Sequence, residues 1–324
     1  MFLIKDVLAR EHMSKENNMK FIPSRIGMGG EQLGGHGWYG LSVAELEKAV
    51  DKALECGINF FDTAPIYGLG RSEELLGRIL STRRKGVFVS TKVGLRWNRK
   101  GTFQKYTDSS PLNIGKEIDA SLRRLNADYI DLYSIHWPDY KTPIGDTMVA
   151  LDQLVKAGKV GAIGCCNFPL HFLKEALKYC KIAAIQAPYN LIDKGVEKDL
   201  LPFCRQNGIH IIAYAPIAKG LLACGYNADS KFGTEDNRNR HPYFLGQAML
   251  DNLKVAERVR VVAGRLGRTP AQVALRWVLA NPNIGTALVG VKNAFQVVEN
   301  VGALGLNLGQ EDIKFLQEGG KDGA

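Results

Sequence analysis

Residues 58–77, INFFDTAPIYGLGRSEELLG, join an apolar strand-like run to a helix-like segment. The apolar run ends at Asp62, and Tyr67 follows five residues later, just before a glycine-flanked turn. We expect Ser72 to cap the helix that Glu73 and Glu74 begin, because hydroxyl groups and acids favour helix N-termini. The stretch therefore predicts one unit of strand, polar loop and helix.

This unit recurs along the chain. The eight runs rich in β-branched and aromatic residues are 21–28, 57–62, 87–92, 129–136, 160–165, 182–186, 210–214 and 286–291. Segments of helical periodicity lie between or after them, at 43–56, 73–80, 111–125, 145–157, 169–178, 198–207, 252–266, 270–279 and 294–302. Ser110-Pro111 and Thr269-Pro270 are typical helix starts, each a hydroxyl cap followed by proline at the first helical position.

Regular alternation of strands and helices indicates crossover connections and a parallel sheet. Eight units with no linker between them predict a closed (β/α)8 barrel as a single domain. An open doubly wound sheet is the alternative, but the first strand lacks the G-x-G-x-x-G that such a sheet uses for dinucleotides. The irregular segment 218–246 follows the seventh predicted strand, where a barrel places an active-site or cofactor loop.

Composition narrows the function classes. No apolar stretch reaches the roughly 18 residues that a membrane span needs, and residues 1–19 lack a secretory cleavage pattern, so we expect a cytoplasmic protein with a frayed or loosely docked leader. We assign residues 20–324 to the barrel domain. The six cysteines and six histidines show no metal-ligand spacing, which predicts reduced thiols and no metal site.

The net charge of +9 is concentrated in one region. Between Glu74 and Asp108 there is no acidic residue, whereas nine residues are basic. Since the run crosses an apolar strand and carries no nucleic-acid-binding motif, we interpret it as a solvated basic rim, with attraction of an anionic cofactor or substrate as the alternative.

Candidate chemistry lies at the carboxyl ends of consecutive predicted strands. In a barrel these ends face one rim, and they bring Asp62, Lys92 and His136 there, with Tyr67 in the loop beyond Asp62. An ammonium beside a phenol stabilises the phenolate and lowers the phenol pKa, and a carboxylate keeps the ammonium charged. Such a tyrosine could protonate an oxygen on which negative charge develops.

The motifs GINFFDTAPIYGLGRSEELLG, VFVSTKVG, SLRRLNADYIDLYSIHWPD and GKVGAIGCCNF together resemble the aldo-keto reductase superfamily, in family order and from about residue 20 to the end. The resemblance implies a (β/α)8 TIM barrel with an N-terminal β-hairpin and an NADPH/NADP+ site, NADPH being expected in preference to NADH. It also implies that Tyr67 is the general acid/base, that Asp62 and Lys92 tune its pKa, and that His136 orients the carbonyl oxygen.

The same resemblance implies a set of cofactor-binding residues: Cys166, Asn167, Gln186, Tyr214, Pro216, Ile217, Ala218, Gly220, Leu221, Gly290, Lys292, Gln296, Glu299 and Asn300. Cys166 stands where a serine is usual, which weakens one hydrogen bond to the nicotinamide carboxamide. Asn293 occupies a position that is often basic, which leaves Lys292 as the nearest candidate for the cofactor 2′-phosphate.

The expected function is reduction of an aldehyde, ketone or aldose by NADPH. Alternatives are an aldose dehydrogenase working with NADP+, or a cofactor-sensing regulatory subunit resembling potassium-channel β-subunits. Trp38, Trp97 and Trp137 are candidates for an aromatic substrate pocket, and the basic insertion 96–105 suggests a polar or anionic substrate. We expect neither nucleic acid nor a membrane as a partner, and the sequence does not predict the oligomeric state.

Overall fold

A computed structural model describes residues 23–35, 41–98, 104–234 and 236–318. Eight parallel strands close into a barrel: β1 Ile26–Gly29, β2 Phe60–Asp62, β3 Phe88–Val93, β6 Ile130–Ile135, β7 Val160–Cys166, β8 Ala184–Pro188, β9 His210–Tyr214 and β10 Thr286–Gly290. Their order around the barrel is β1-β10-β9-β8-β7-β6-β3-β2. Each of the eight predicted strands overlaps one of these, so the predicted barrel is confirmed.

Helices cover the outside of the barrel. Their bounds are Glu31–Gly34, Val43–Glu55, Arg71–Leu80, Pro111–Leu125, Ile144–Lys156, Leu170–Ala176, Leu200–Gln206, Gly246–Leu266, Pro270–Ala280, Ala294–Val301 and Gln310–Gln317. The two helix starts predicted at Ser110-Pro111 and Thr269-Pro270 are confirmed. The Ser110 hydroxyl accepts from the Asn113 backbone amide, and the Thr269 hydroxyl accepts from the Gln272 backbone amide in a capping box. In the part of the chain that the structure describes, no helix has the length and apolarity that crossing a bilayer requires.

The barrel interior is packed with side chains. Phe60, Leu132, Ala184, Ile212 and Leu288 form a cluster inside the ring of strands, and the first four are at most 1% exposed. A second, larger apolar cluster lies between the strands and the surrounding helices. This apolar filling separates the polar side chains at the carboxyl ends of the strands, where active sites lie in barrels of this type, from those at the amino ends, such as His210 and Thr286.

The pairing register of neighbouring strands brings their carboxyl ends to the same level of the barrel. Gly29 of β1 pairs with Asp62 of β2, and Lys92 of β3 pairs with Ser134, two residues before His136. The predicted acid, amine and imidazole consequently reach the same rim from three consecutive barrel strands, β2, β3 and β6.

Two sequence expectations need correction. We expected no strand in the basic insertion 96–105, but β4 Leu95–Asn98 and β5 Gln104–Thr107 pair there as an antiparallel hairpin outside the barrel. Ser72 does not cap its helix, because its hydroxyl donates to the Gly30 carbonyl at 2.7 Å instead. The leader and the N-terminal β-hairpin expected before β1 lie outside the described residues.

Candidate active site

A buried ion pair lies at the centre of the site. The Lys92 ammonium is 2.5 Å from the Asp62 carboxylate, and both side chains are 2% exposed. Lys92 also donates to the Thr63 carbonyl oxygen at 2.9 Å. Burial lowers the pKa of Lys92, but Asp62, Tyr67 and Cys166 raise it more, so the net pKa lies above its usual value and the amine stays protonated.

Tyr67 stands over this pair. Its phenol oxygen is 3.4 Å from the Lys92 nitrogen, and the ammonium is 4.9 Å from the ring centroid. The next residue, Gly68, adopts a left-handed backbone with φ of 61°, and a Cβ there would lie 2.1 Å from the Gly34 carbonyl oxygen. Glycine is therefore needed at 68 both for its conformation and for the close approach of residue 34.

The pKa of Tyr67 corrects the sequence expectation. Burial raises this pKa above its usual 10, and the lowering by Lys92 is smaller than that increase. Asp62 and Glu31 raise it further. The ammonium lowers the pKa of Tyr67 in the expected direction, yet the net pKa is raised. Tyr67 thus keeps its proton at neutral pH, which suits a proton donor.

His136 provides a neutral imidazole beside the phenol. Its ring is perpendicular to that of Tyr67, with centroids 5.9 Å apart. Burial, followed by the positive charges of Lys92 and Lys105, holds the pKa of His136 well below 6.5. A neutral imidazole can donate one hydrogen bond without competing for the proton of Tyr67.

Hydroxyl groups fasten the strand that carries Asp62. The Thr63 hydroxyl donates to the Ser72 oxygen at 2.7 Å, and Ser72 donates to the Gly30 carbonyl at 2.7 Å. The Gly30 amide in turn donates to the Asp62 carbonyl at 2.7 Å. Thr63 and Ser72 are fully buried, so this chain holds the Thr63 carbonyl that receives Lys92.

Amide side chains continue the site along β7 and β8. The Gln186 amide donates to the second Asp62 oxygen at 2.5 Å. Asn167 has a left-handed φ of 60°, accepts from the Tyr214 hydroxyl at 2.8 Å and donates to the His136 carbonyl at 3.2 Å. These bonds fix the orientation of the side-chain amides next to Lys92 and His136.

Three further cations, Lys219, Arg238 and Lys292, line the same cavity. Lys292 follows β10, and its backbone amide donates to the Gln296 side chain at 2.8 Å. Arg238 comes from the long segment after β9, where it pairs with Asp236 at 2.5 Å and bonds to the Tyr226 hydroxyl. The Asn293 side chain caps the helix Ala294–Val301 by accepting from the Gln296 amide.

One cavity of about 600 Å³ joins these groups. Among the predicted residues it is lined by Asp62, Tyr67, Lys92, His136, Trp137, Cys166, Asn167, Gln186, Tyr214, Pro216, Ile217, Gly220, Gly290, Lys292, Gln296, Glu299 and Asn300. Ala218 and Leu221 are fully buried and do not line it, nor does Trp97, which packs under Arg96 in the hairpin. Trp38 lies outside the described residues.

Sequence reasoning missed part of the cavity wall. Gly29 at the end of β1 and residues 30–32 directly after it line the cavity together with Tyr226, Arg238 and His241 from the long segment. The position of Glu31 just beyond a barrel strand was a usable signal, since that is where the other site residues were found. Arg238 had no such signal, because only the folding of the segment brings it to the cavity.

The cysteines and possible metal ligands of the described residues bear on thiol and metal chemistry. Burial raises the pKa of Cys166 to about 12, so this thiol is protonated at neutral pH. All six cysteines are free. The residues that the structure describes contain no group of three or more histidine, cysteine or acidic side chains suited to a metal ion.

Comparison with known proteins gives consistent results. The sequence profile of the aldo/keto reductase family matches residues 25–319. The NADH-specific methylglyoxal reductase of Escherichia coli strain K12 is 37% identical over 310 residues, which cover 91% of this chain and 94% of that protein. The aldo-keto reductase YhdN of Bacillus subtilis strain 168 is 33% identical over 296 residues, or 90% of this chain and 88% of that protein.

Solved structures share the same architecture. The glycerol dehydrogenase of Gluconobacter oxydans superposes with a TM-score of 0.85 and 33% identity, covering 94% of each chain. The holo form of an aldo-keto reductase from Bacillus halodurans gives a TM-score of 0.78 and 27% identity, covering 96% of this chain and 98% of that one.

Proposed function

The chain belongs to the aldo/keto reductase family and is an NAD(P)-dependent oxidoreductase, and on that premise we propose that it reduces the carbonyl group of an aldehyde, ketone or aldose to an alcohol. One observation carries the proposal: the Lys92 ammonium of the buried Lys92–Asp62 pair lies 3.4 Å from the Tyr67 phenol oxygen, in a cavity that Lys219, Arg238 and Lys292 also line. This geometry supports a proton donor and an anion-binding region within one cavity.

Tyr67 is the proposed general acid. Its raised pKa keeps the phenol protonated until a carbonyl oxygen accepts negative charge nearby. Once the proton has moved to that oxygen, the Lys92 ammonium stabilises the phenolate left behind, and Asp62 keeps the ammonium charged and fixed. The neutral His136 donates a hydrogen bond that orients the carbonyl oxygen towards Tyr67. A reduced nicotinamide, when bound, supplies the hydride that reaches the carbonyl carbon.

The cavity residues fit a nicotinamide dinucleotide. At the catalytic end, the amides of Asn167 and Gln186 and the ring of Tyr214 would hold the nicotinamide. Lys219 and Lys292, which also line the cavity, offer positive charge for phosphate groups. We propose NADPH as the preferred cofactor because Lys292 suits an additional 2′-phosphate, although the Escherichia coli relative is NADH-specific.

Oxidation of a polyol or aldose is a second candidate. The similarity to the Gluconobacter oxydans glycerol dehydrogenase supports this direction. A panel of alcohols and aldoses with NADP+ or NAD+, compared with aldehydes and reduced cofactor, separates the two directions by their kcat/KM values.

The test of the proposal is reduced-cofactor oxidation across a broad carbonyl panel, with NADPH and NADH side by side. We expect turnover with NADPH and a roughly tenfold rise in its KM in Lys292→Met, while the KM for NADH stays unchanged, since one phosphate contact of about 1.4 kcal/mol is lost. Lys181→Met is the control, because Lys181 is exposed and lies outside the cavity. No carbonyl turnover with either cofactor would contradict the proposed function, and equal effects on both cofactors would contradict the role of Lys292.

A further inference from the structure

We propose that Glu31 and the side-chain amide of Gln32 form a subsite that accepts hydrogen bonds from hydroxyl groups of the substrate. The proposal deepens the proposed carbonyl reduction and rests on it. Its ligand class is a neutral hydroxyaldehyde, hydroxyketone or aldose.

The position of both residues follows from the end of β1. The Gly30 amide donates to the Asp62 carbonyl at 2.7 Å, which ties this segment to the strand that carries the ion-pair partner of Lys92. The short helix Glu31–Gly34 begins at the next residue. Glu31 and Gln32 consequently line the same cavity as Tyr67 and Lys92.

Gln32 presents a buried oxygen that lacks a partner. The residue is 7% exposed, and its Oε1 atom has no hydrogen-bond partner among the residues that the structure describes. The side chain lies against Gly290, where a Cβ would come within 2.2 Å of that oxygen. Because buried polar atoms almost always have partners, an unpaired acceptor in a cavity wall indicates a site for a ligand donor.

Glu31, the preceding residue, adds a charged acceptor to the wall of the same cavity. Within the described ranges its carboxylate makes no hydrogen bond or ion pair, although its charge reaches the Tyr67 phenol. An ionised carboxylate accepts hydrogen bonds and has no proton to donate. The two side chains together therefore indicate a ligand that donates hydrogen bonds.

Charge at this end of the cavity selects among possible donors. An ammonium-bearing substrate is opposed by Lys92 and Lys105, whose positive charges already lower the pKa of His136. An anionic substrate is opposed by Glu31. Neutral hydroxyl groups satisfy both acceptors without either repulsion, which departs from the anionic substrate that the basic insertion suggested.

Two three-carbon aldehydes test the subsite directly, because D-glyceraldehyde differs from propanal by two hydroxyl groups. We expect the ratio of kcat/KM for glyceraldehyde over propanal to fall about tenfold in Glu31→Met and in Gln32→Met, as expected when a hydrogen bond to a charged or buried acceptor is lost. A change in the pKa of Tyr67 would affect both aldehydes alike and cancel in the ratio. Glu74→Met is the matched control, since Glu74 is exposed and outside the cavity.

The results that would overturn the subsite differ from the result that would overturn the proposed function. An unchanged ratio in folded Glu31→Met and Gln32→Met overturns the subsite, and Glu31→Gln, which preserves size, replaces Glu31→Met if the latter does not fold. A weaker dissociation constant for NADPH with an unchanged ratio also overturns it, because the acceptors would then serve the cofactor ribose. Wild-type protein that reduces neither these aldehydes nor any other carbonyl would overturn the proposed function itself.

Discussion

The Lys92 ammonium and the Asp62 carboxylate form an ion pair of 2.5 Å in which each side chain is only 2% exposed. Asp62 uses its other oxygen to accept from Gln186. Lys92 places its remaining hydrogen bonds on the Thr63 carbonyl and the Tyr67 phenol. This buried charge pair therefore joins the side chains of β2, β3 and β8 at the rim where the proposed catalytic residues lie.

Removing one partner of the pair should destabilise the protein. We expect Asp62→Asn to lower the free energy of unfolding by about 3–5 kcal/mol, because it leaves a buried ammonium without its counter-charge. Adding Lys92→Met should recover part of that loss, while turnover stays absent. Denaturant unfolding measures the stability of the single and the double variant. Lys48→Met, which breaks an exposed ion pair with Glu45, is the control. An Asp62→Asn protein as stable as this control would contradict the prediction.

Thr63 should position Lys92 through its backbone. Thr63→Val removes the hydroxyl that is fixed by Ser72, so we expect a loss of about 1–2 kcal/mol in stability and a roughly tenfold lower kcat. Thr63→Ser keeps the hydroxyl and should retain turnover within about threefold, since the hydrogen bond to Ser72 is preserved. Equal kcat values for the valine and serine variants would rule out this positioning role.

The turn after Tyr67 should tolerate only glycine. Gly68→Ala introduces a Cβ against the Gly34 carbonyl in a left-handed conformation, and we expect a loss of about 3 kcal/mol together with reduced turnover. Gly86→Ala is a matched control, because Gly86 also has a positive φ of 75° but no atom within 4 Å of the added carbon. Similar losses in thermal unfolding for the two variants would show that the contact with residue 34 is unimportant.

Stability should fall in mild acid because of buried histidines. Burial and the Arg25 charge lower the pKa of His210 to about 4, from 6.5. Below pH 6.5 this histidine binds a proton in the unfolded chain but stays neutral in the folded protein. Its contribution to the free energy of unfolding is therefore fully present above pH 6.5 and is lost as the pH falls towards 4. Between pH 7 and 5 we expect His210 to account for a loss on the order of 2 kcal/mol.

The measurement for His210 is denaturant unfolding at pH 7 and pH 5. His210→Asn should reduce the loss of stability between pH 7 and pH 5 by about 2 kcal/mol and leave the part that His136 contributes, whereas His171→Asn, at an exposed helix position, should leave the whole loss as in the wild type. A slope that survives the His210 substitution unchanged would contradict the prediction.

Much of the fold could be predicted because it depends on local pattern. Each barrel strand coincides with a run of β-branched or aromatic residues, and the helix starts at Ser110 and Thr269 follow from side-chain chemistry alone. The convergence of Asp62, Lys92 and His136 follows from the rule that strand ends share one rim. The roles of these residues remain predictions.

Other features depend on tertiary contacts that no local pattern reports. Ser72 looks like a helix cap, but its hydroxyl finds the Gly30 carbonyl 42 residues away. The pKa of Tyr67 depends on how deeply it is buried, which outweighs the nearby ammonium. Arg238 reaches the cavity only through the folding of its long segment onto Tyr226 and Asp236.

The central claim is that the Tyr67 phenol delivers the proton during carbonyl reduction. The most direct test is single-turnover oxidation of bound NADPH by an aldehyde in wild type and Tyr67→Phe, with NADPH affinity measured on the same samples. We predict a rate lowered by about 10²–10⁴-fold with cofactor affinity unchanged, the range expected when a general acid is removed. A Tyr67→Phe protein that binds NADPH and reduces the aldehyde at the wild-type rate would contradict the account.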